Sequence, residues 1–171
     1  MTAVTLFNIF EVPARSDEEF VAWWKRTGSF IEERTGPIAA ALHRSIDPAA
    51  RFRFVNVASV EDPQAWRAAV TASGFPGADQ PGTRPAGLYE LVRSHADPAA
   101  RGAVLIVPFE DAGDGYDLLA EWDRAPGDRL YRSLSPDADF RFVEVSSSET
   151  HSRLADTGAA CDPALYEVVA T

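Results

Sequence analysis

The chain has 171 residues, of which 46% are apolar and 25% charged, and a net charge of −10, a composition typical of a soluble globular protein of one or two domains. The acidic charge disfavours nucleic acid and anionic membrane surfaces as partners, and no apolar run is long enough to cross a bilayer. Cys161 is the only cysteine, which excludes an internal disulfide, and no signal-peptide pattern opens the chain, so we expect a cytoplasmic protein.

The first part of the chain carries the signals of a strand followed by a helix. Residues 4–12 are β-rich and partly alternating, which predicts a strand. Ser16 and Glu19 form a capping-box pattern at the start of a helix, and Gly36 and Pro37 end that helix. Between these signals, apolar and aromatic side chains recur at helical spacing, so one face of this helix is expected to pack on a core.

Two further strands, a second helix and a fourth strand follow in order. Residues 38–46 and 52–59 predict strands. Asp62, followed by proline, predicts the start of a helix that runs to about Gly74, and residues 88–93 predict the last strand. Alternation along the third strand is expected to place four side chains on one face, namely Phe52, Phe54, Asn56 and Ala58.

The second half of the chain repeats the first. Residues 42–61 and 130–149 are identical at twelve of twenty positions without a gap. Shorter matches flank this segment, at an offset of 99 residues before it and 77 after it, so the second copy is shorter. We therefore predict a tandem duplication, with a first unit at residues 1–94, a linker at 95–102 and a second unit at 103–171.

Each unit is predicted to have an α+β fold with the ferredoxin-like order β-α-β-β-α-β. A unit of this size buries little core alone, and helices cover only one side of its sheet. We therefore expect the two units to stack sheet against sheet into one intramolecular, pseudo-dimeric α+β barrel. Four arginines, Arg44, Arg53, Arg132 and Arg141, recur at matching positions in the two copies. Glu90 and Glu167 are predicted to be their ion-pair partners.

Three segments, TLFNIFEVP, EEFVAWWKR and LHRSIDPAARFRFVNVASVEDPQAWRAA, resemble the antibiotic-biosynthesis monooxygenase family. The resemblance implies a ferredoxin-like α+β barrel and, for the quinone-forming members, cofactor-independent oxygenation of anthrone-type polyketides. Those members carry an Asn on the third strand, a Trp four positions on and a Tyr ten positions on. Here Asn56 matches the first position, while Val60 and Trp66 stand at the other two.

The haem-degrading members of the family imply a different site. Their Asn on the first strand is matched by Asn8, but the histidine that follows their second helix has no counterpart in residues 76–79. Haem degradation is therefore disfavoured. The sequence also shows no metal-binding cluster, phosphate loop or dinucleotide motif, so we expect neither a metal nor a cofactor.

Three residues are the candidate catalytic groups. Asn56 is a polar amide on an apolar face, which must be hydrogen-bonded or meet a ligand, and it could stabilise an oxyanion. His43 has the side chain best suited to act as a general base near neutral pH, although an ordinary histidine at a sheet rim fits the position as well. Trp66 takes the place of the family's Tyr and could wall a flat substrate.

The candidate substrate-binding residues are Asn8, Trp24, Phe54 and Tyr89. We predict one cavity, in the first unit, between its sheet and its two helices, with the Gly- and Pro-rich segment 73–87 as a lid.

Three functions remain open. They are a cofactor-independent oxygenase acting on an aromatic, polyketide-like substrate with molecular oxygen, a polyketide cyclase or isomerase using the same cavity, and a non-catalytic binding or assembly module. The chain is expected to act as a monomer with pseudo-twofold symmetry or as a homodimer.

Overall fold

A computed structural model describes residues 4–80, 82, 86–95, 103–110, 118–124, 128–147, 160 and 162–171. These residues form an α+β fold whose eight strands make a closed barrel. The strands are β1 Val4–Phe10, β2 Ala40–Ser45, β3 Phe54–Val60, β4 Ala86–Ser94, β5 Val104–Phe109, β6 Arg129–Ser133, β7 Phe142–Ser147 and β8 Ala164–Ala170. The helices are α1 Asp17–Thr35, α2 Pro63–Val70 and α3 Leu118–Arg124. No helix among the described residues is both long and apolar enough to cross a lipid bilayer.

The barrel has the strand order β1-β3-β2-β8-β5-β7-β6-β4, and all neighbours are antiparallel. The first half therefore contributes β4-β1-β3-β2 and the second half β8-β5-β7-β6, the same order in each. The expected α+β barrel is confirmed, but the halves do not face each other as two separate sheets. They join edge to edge at two seams, β2 with β8 and β4 with β6, because this pairing leaves no strand edge open.

An ion pair crosses each seam on the outside of the barrel. At the β2–β8 seam, Nη2 of Arg44 lies 2.8 Å from Oε1 of Glu167. At the β4–β6 seam, Nε of Arg132 donates to Oε1 of Glu90 at 2.9 Å. The sequence named these two glutamates as partners of four recurring arginines, and two of the four take them. Of the other two, Arg53 pairs with Asp17, and Arg141 donates to the carbonyl of Ser135. Since all four side chains are substantially exposed, each pair contributes little stability, on the order of 0–1 kcal/mol.

A buried hydrogen bond ties the halves together beside each seam. The hydroxyl of Tyr166 donates to the carbonyl of Phe52 at 2.9 Å, and that of Tyr89 donates to the carbonyl of Phe140 at 3.0 Å. Burial raises the pKa of both tyrosines, which keeps the hydroxyls protonated as donors.

The prediction that Phe52 shares a face with Phe54 was wrong. Phe52 packs in the barrel interior, because the regular pleat of β3 begins only at Phe54.

Alternation along the strands separates a barrel interior from an outer face. The interior is packed by twelve buried side chains from both halves, namely Phe7, Ile9, Phe52, Val55, Tyr89, Val104, Ile106, Tyr131, Phe140, Val143, Val145 and Tyr166. The outer face of the first half carries α1 and α2, and that of the second half carries α3. A ligand site between sheet and helices therefore lies outside the barrel, not within it.

The helix ends agree only in part with the sequence predictions. Ser16 precedes α1 but makes no side-chain cap, so the capping-box prediction was wrong. The first turn is held instead by Arg53, whose Nε and Nη2 donate to the Asp17 carboxylate at 3.0 and 2.6 Å. Asp62 does cap α2, accepting two backbone N–H groups as predicted, although the helix ends at Val70 rather than near Gly74.

Several predicted features lie outside the described residues. They are Cys161, most of the linker at 95–102, and the segment at 148–159 where a second helix of the second half was expected. In the described part of that half, α3 spans 7 residues, whereas α1 spans 19.

The tyrosine bonds across the halves can be tested by removing one hydroxyl at a time. Tyr89→Phe and Tyr166→Phe should each lower the free energy of unfolding in urea by about 1 kcal/mol, because each leaves a buried carbonyl without its donor. Tyr131→Phe is the control, since Tyr131 lies in the same interior cluster and its hydroxyl has no hydrogen bond to another described residue. An equal loss of unfolding free energy in Tyr131→Phe would show that the effect does not come from the hydrogen bonds between the halves.

Candidate functional site

A cavity of about 330 Å³ lies between the outer face of the first half and its two helices. Strands β1, β2 and β3 form its floor, α1 and α2 form its walls, and Phe75 also lines it. This volume is at the lower end of the range of roughly 300–1,000 Å³ in which small-molecule sites fall. Most of the lining is apolar, so the few polar groups in it decide what the cavity can bind.

Two asparagines stand side by side on the cavity floor. Asn8 on β1 and Asn56 on β3 are the only asparagines in the chain, and they are direct cross-strand partners. Both line the cavity and both are buried, with 8% and 5% of their surface exposed. Directly opposed residues on one sheet face have Cβ atoms roughly 4.5–5.5 Å apart, so the two amides can reach the same ligand atom.

Trp24 fixes the orientation of the Asn56 amide. The indole Nε1–H of Trp24 donates to Oδ1 of Asn56 at 3.0 Å. An indole N–H can only donate, so the amide oxygen must point at Trp24 and the NH₂ group must point elsewhere. No described residue accepts a hydrogen bond from that NH₂ group, which leaves it available to a ligand.

Aromatic side chains form the walls. Three of the four tryptophans, Trp23, Trp24 and Trp66, line the cavity, and Phe75 joins them. Trp23 is mainly structural, because it is fully buried among core rings and its Nε1 donates to the carbonyl of Pro76 at 2.9 Å. This bond anchors the segment after α2 beside Phe75. The remainder of the predicted lid lies in part outside the described residues.

Thr27 and Gly28 of α1 also line the cavity, and neither was among the site residues predicted from the sequence. Thr27 is 8% exposed, and its hydroxyl is buried without a hydrogen-bond partner. Gly28 has open space where a Cβ would stand. The sequence signal for Gly28 was its place in the interior of a long helix. Glycine there lowers helix stability relative to alanine, so its presence suggests that a side chain would occupy space that the cavity needs.

Among the described residues that line the cavity, two have charged side chains. Lys25, the single lysine of the chain, and Glu32 are the titratable side chains among the lining residues, and both are exposed. The Glu32 carboxylate accepts the N–H of Ile38 at 3.4 Å. Among the described residues, no group of three or more His, Cys, Asp or Glu is placed to hold a metal ion.

The structure brings together four of the seven candidate residues and separates the other three. Asn8, Trp24, Asn56 and Trp66 line the cavity. His43 does not, because Leu42 occupies the helix-facing side of β2 and His43 therefore points into the barrel, where burial lowers its pKa. Tyr89 also lies in the barrel interior, and Phe54 stacks on Phe20 in the core beneath α1.

The matching positions in the second half are packed. Val107 stands where the first half has Asn8, and Glu144 stands where it has Asn56, both with no exposed surface. The hydroxyl of Ser146 donates to the Glu144 carboxylate at 2.7 Å, which satisfies part of this buried charge. The two amides therefore have no counterpart in the second half.

No protein-family model matches the chain, and no curated protein matches it. Among solved structures it is similar to an anthrone oxidase-like protein, with 12% identity over 99% of this chain and 92% of that one and a TM-score of 0.62. It is also similar to a mutant chlorite dismutase from Candidatus Nitrospira defluvii, with 12% identity over 98% and 91% of the two chains and a TM-score of 0.54. A candidate monooxygenase from Shewanella loihica is 27% identical over 54% of this chain and 97% of its own, with a TM-score of 0.48. The first two likenesses show a shared α+β barrel fold.

The open space at Gly28 predicts a gain in stability. Gly28→Ala should raise the free energy of unfolding in urea by about 1 kcal/mol, because alanine is favoured over glycine inside a helix by roughly that amount and the added methyl meets nothing. Gly74→Ala is the matched control and should destabilise the protein, because Gly74 has a φ of +82°. A loss of stability in Gly28→Ala would mean that the space is not open.

The buried His43 predicts a pH-dependent stability. Its folded-state pKa is lowered, so as the pH falls the unfolded chain takes up the proton first and the folded state loses stability. His43→Tyr, which copies Tyr131 at the matching position, removes this titration. Between about pH 7.5 and about pH 5, urea denaturation should show wild type losing more stability than the variant. A difference that does not change with pH would contradict a neutral, buried His43.

Proposed function

We propose that the cavity binds a small, flat, oxygenated aromatic molecule and that the protein is a cofactor-independent oxygenase of the antibiotic-biosynthesis monooxygenase type. The observation that carries this proposal is the Asn56 amide, whose NH₂ group is left free by the bond from Trp24 and lies in a mostly apolar, aromatic-walled cavity. Such a donor is suited to an oxygen atom on which negative charge develops.

The proposed reaction converts a methylene group between aromatic rings to a ketone. Removal of one methylene proton gives a carbanion whose charge is delocalised onto the ring oxygen, and Asn56 stabilises that oxyanion. The carbanion itself supplies the electrons that reduce molecular oxygen. One oxygen atom becomes the carbonyl, and the other leaves as water with the two hydrogens of the methylene group. The reaction balances with the organic substrate and O₂ alone.

The proton acceptor must differ from the one proposed on sequence grounds, because His43 lies on the other face of the sheet. Glu32 is the carboxylate among the lining residues and can accept the proton at the cavity wall. The polar groups deeper in the cavity are neutral amides and a hydroxyl. This arrangement favours stabilisation of an anion over repeated proton shuttling, and so favours oxygenation over cyclisation or isomerisation.

The fold likeness to an anthrone oxidase-like protein agrees with this proposal and suggests anthrone as a first substrate to test. We further propose that the two halves arose by duplication of one unit and that the second now serves only to close the barrel. The repeated sequence, the shared strand order and the matching tyrosine bonds support this division. On this proposal a single chain suffices for the barrel.

The oxygenase proposal predicts that anthrone is converted to anthraquinone with consumption of one O₂ per substrate. Asn56→Ala should lower kcat by about 10²–10³, the usual effect of removing one oxyanion donor. Oxygen uptake and product absorbance are measured together. Tyr131→Phe, which alters only the barrel interior, is the control and should retain wild-type turnover. Substrate consumption that continues unchanged under argon and gives a product with no added oxygen would point to a cyclase or isomerase instead.

Trp24→Phe tests the orientation of the amide separately from the aromatic wall. The phenyl ring retains an apolar wall, but the N–H that holds Oδ1 of Asn56 is lost. We expect kcat to fall while KM changes little, because an amide free to rotate presents its oxygen as well as its NH₂ group to the oxyanion. A rise in KM with unchanged kcat would show that Trp24 serves only to bind the substrate.

A further inference from the structure

We infer that Asn8 is a second oxyanion donor, so that the cavity binds the ionised oxygen of a phenol or enol between two neighbouring amides. This inference rests on the proposed function for the identity of the reacting molecule. It extends that function in two ways. It assigns a catalytic role to a residue on a second strand, and it names the ionisation state of the ligand that the cavity binds more tightly.

The orientation of Asn8 is the first step of the argument. Oδ1 of Asn8 is buried in the protein and has no hydrogen-bond partner, although the residue lines the cavity. The end of the amide that meets the cavity is therefore its NH₂ group. An orphaned carbonyl is unfavourable, so this placement is unexpected for a residue whose role is packing alone.

The position of Asn8 opposite Asn56 is the second step. The two residues are paired in the β1–β3 register and point to the same face of the sheet. The NH₂ group of Asn56 is also left for the cavity, because its oxygen is held by Trp24. Two N–H donors from adjacent strands therefore lie beside one small volume, the arrangement by which protein sites hold developing negative charge on oxygen.

The second half of the chain supplies the third step. Val107 occupies the position that matches Asn8, and it is fully buried against the α3 side of the sheet. The strand and barrel therefore accept an apolar side chain at this position. Asparagine in the first half is thus not required by the fold, which leaves the cavity as the reason for its presence.

The test is binding of 4-nitrophenol, measured by titration calorimetry at a pH well below and a pH well above its ionisation, with 4-nitroanisole as the probe that cannot ionise. Neither probe needs oxygen or turnover. Wild type should bind the phenolate about tenfold or more tightly than the phenol, because hydrogen bonds to a charged oxygen are the stronger kind. Affinity for 4-nitroanisole should be the same at both pH values.

Asn8→Val should reduce the affinity for the phenolate by about tenfold while leaving the phenol and 4-nitroanisole within about twofold. Its melting temperature should not fall, because the variant carries the residue of the matching position and removes an orphaned carbonyl. Asn8→Asp, nearly identical in shape, should weaken phenolate binding further by placing a like charge beside the anion. A purely structural Asn8 would instead lower the melting temperature and affect all three probes alike.

The charged residues of the lining, Lys25 and Glu32, provide the competing explanation for any preference for an anion. Lys25→Met should leave most of the preference intact, since this lysine is exposed to solvent, where charge interactions are screened. The inference would be overturned if Lys25→Met lost the preference for the phenolate while Asn8→Val kept it. It would also be overturned if wild type showed no such preference or bound none of the probes. If phenolate selection is found but anthrone is not oxidised, the oxygenase proposal fails and the two-amide site stands.

Discussion

Open strand edges are the constraint on which the rest of this structure depends. A four-stranded βαββαβ unit has two edges whose backbone N–H and C=O groups lack partners, and an inner sheet face without cover. Both problems are solved at once when β2 pairs with β8 and β4 pairs with β6, since the paired edges close the barrel and the inner faces become its core. The buried bonds from Tyr89 and Tyr166 strengthen the same two junctions. The second half is therefore needed for the fold even though its described positions that match the two asparagines are packed.

Closure of the barrel also decides where a ligand can bind. The interior is filled by side chains from both halves, which leaves the space between the sheet and the helices as the place for a cavity. In the first half, the long α1 with Thr27 and Gly28 spans the sheet without filling that space. In the described part of the second half, α3 spans 7 residues, and Val107 and Trp122 are packed with no exposed surface. The difference between the halves thus lies in the helical layer, while the strand order is common to both.

Two polar groups at the cavity lower the stability of the fold. Oδ1 of Asn8 and the hydroxyl of Thr27 are both buried without partners, and each such group costs about 1–3 kcal/mol. Thr35 and Thr71, by contrast, donate to helix carbonyls four residues back at 3.0 and 2.9 Å. A core designed only to pack would replace these groups with apolar side chains, as the second half does with Val107. Their retention beside two tryptophans is the pattern expected where function and stability conflict.

The sequence by itself determined the α+β class, the order of elements in the first half, the Asp62 cap and the role of Glu90 and Glu167 as ion-pair partners of recurring arginines. These features follow from local periodicity, turn chemistry and recurrence of residues along the chain. It also identified Asn56, Trp24 and Trp66 as candidates, because polar or unmatched aromatic residues on an apolar pattern are visible without coordinates. Asn8 became a candidate through the family resemblance. Only the tertiary structure decided that the halves pair by their edges, that His43 and Tyr89 point into the barrel, and that Trp24 orients Asn56. The reason is physical: a strand pattern shows that two residues lie on opposite faces, but which face becomes the closed interior is set by the partner strands, which are distant in sequence.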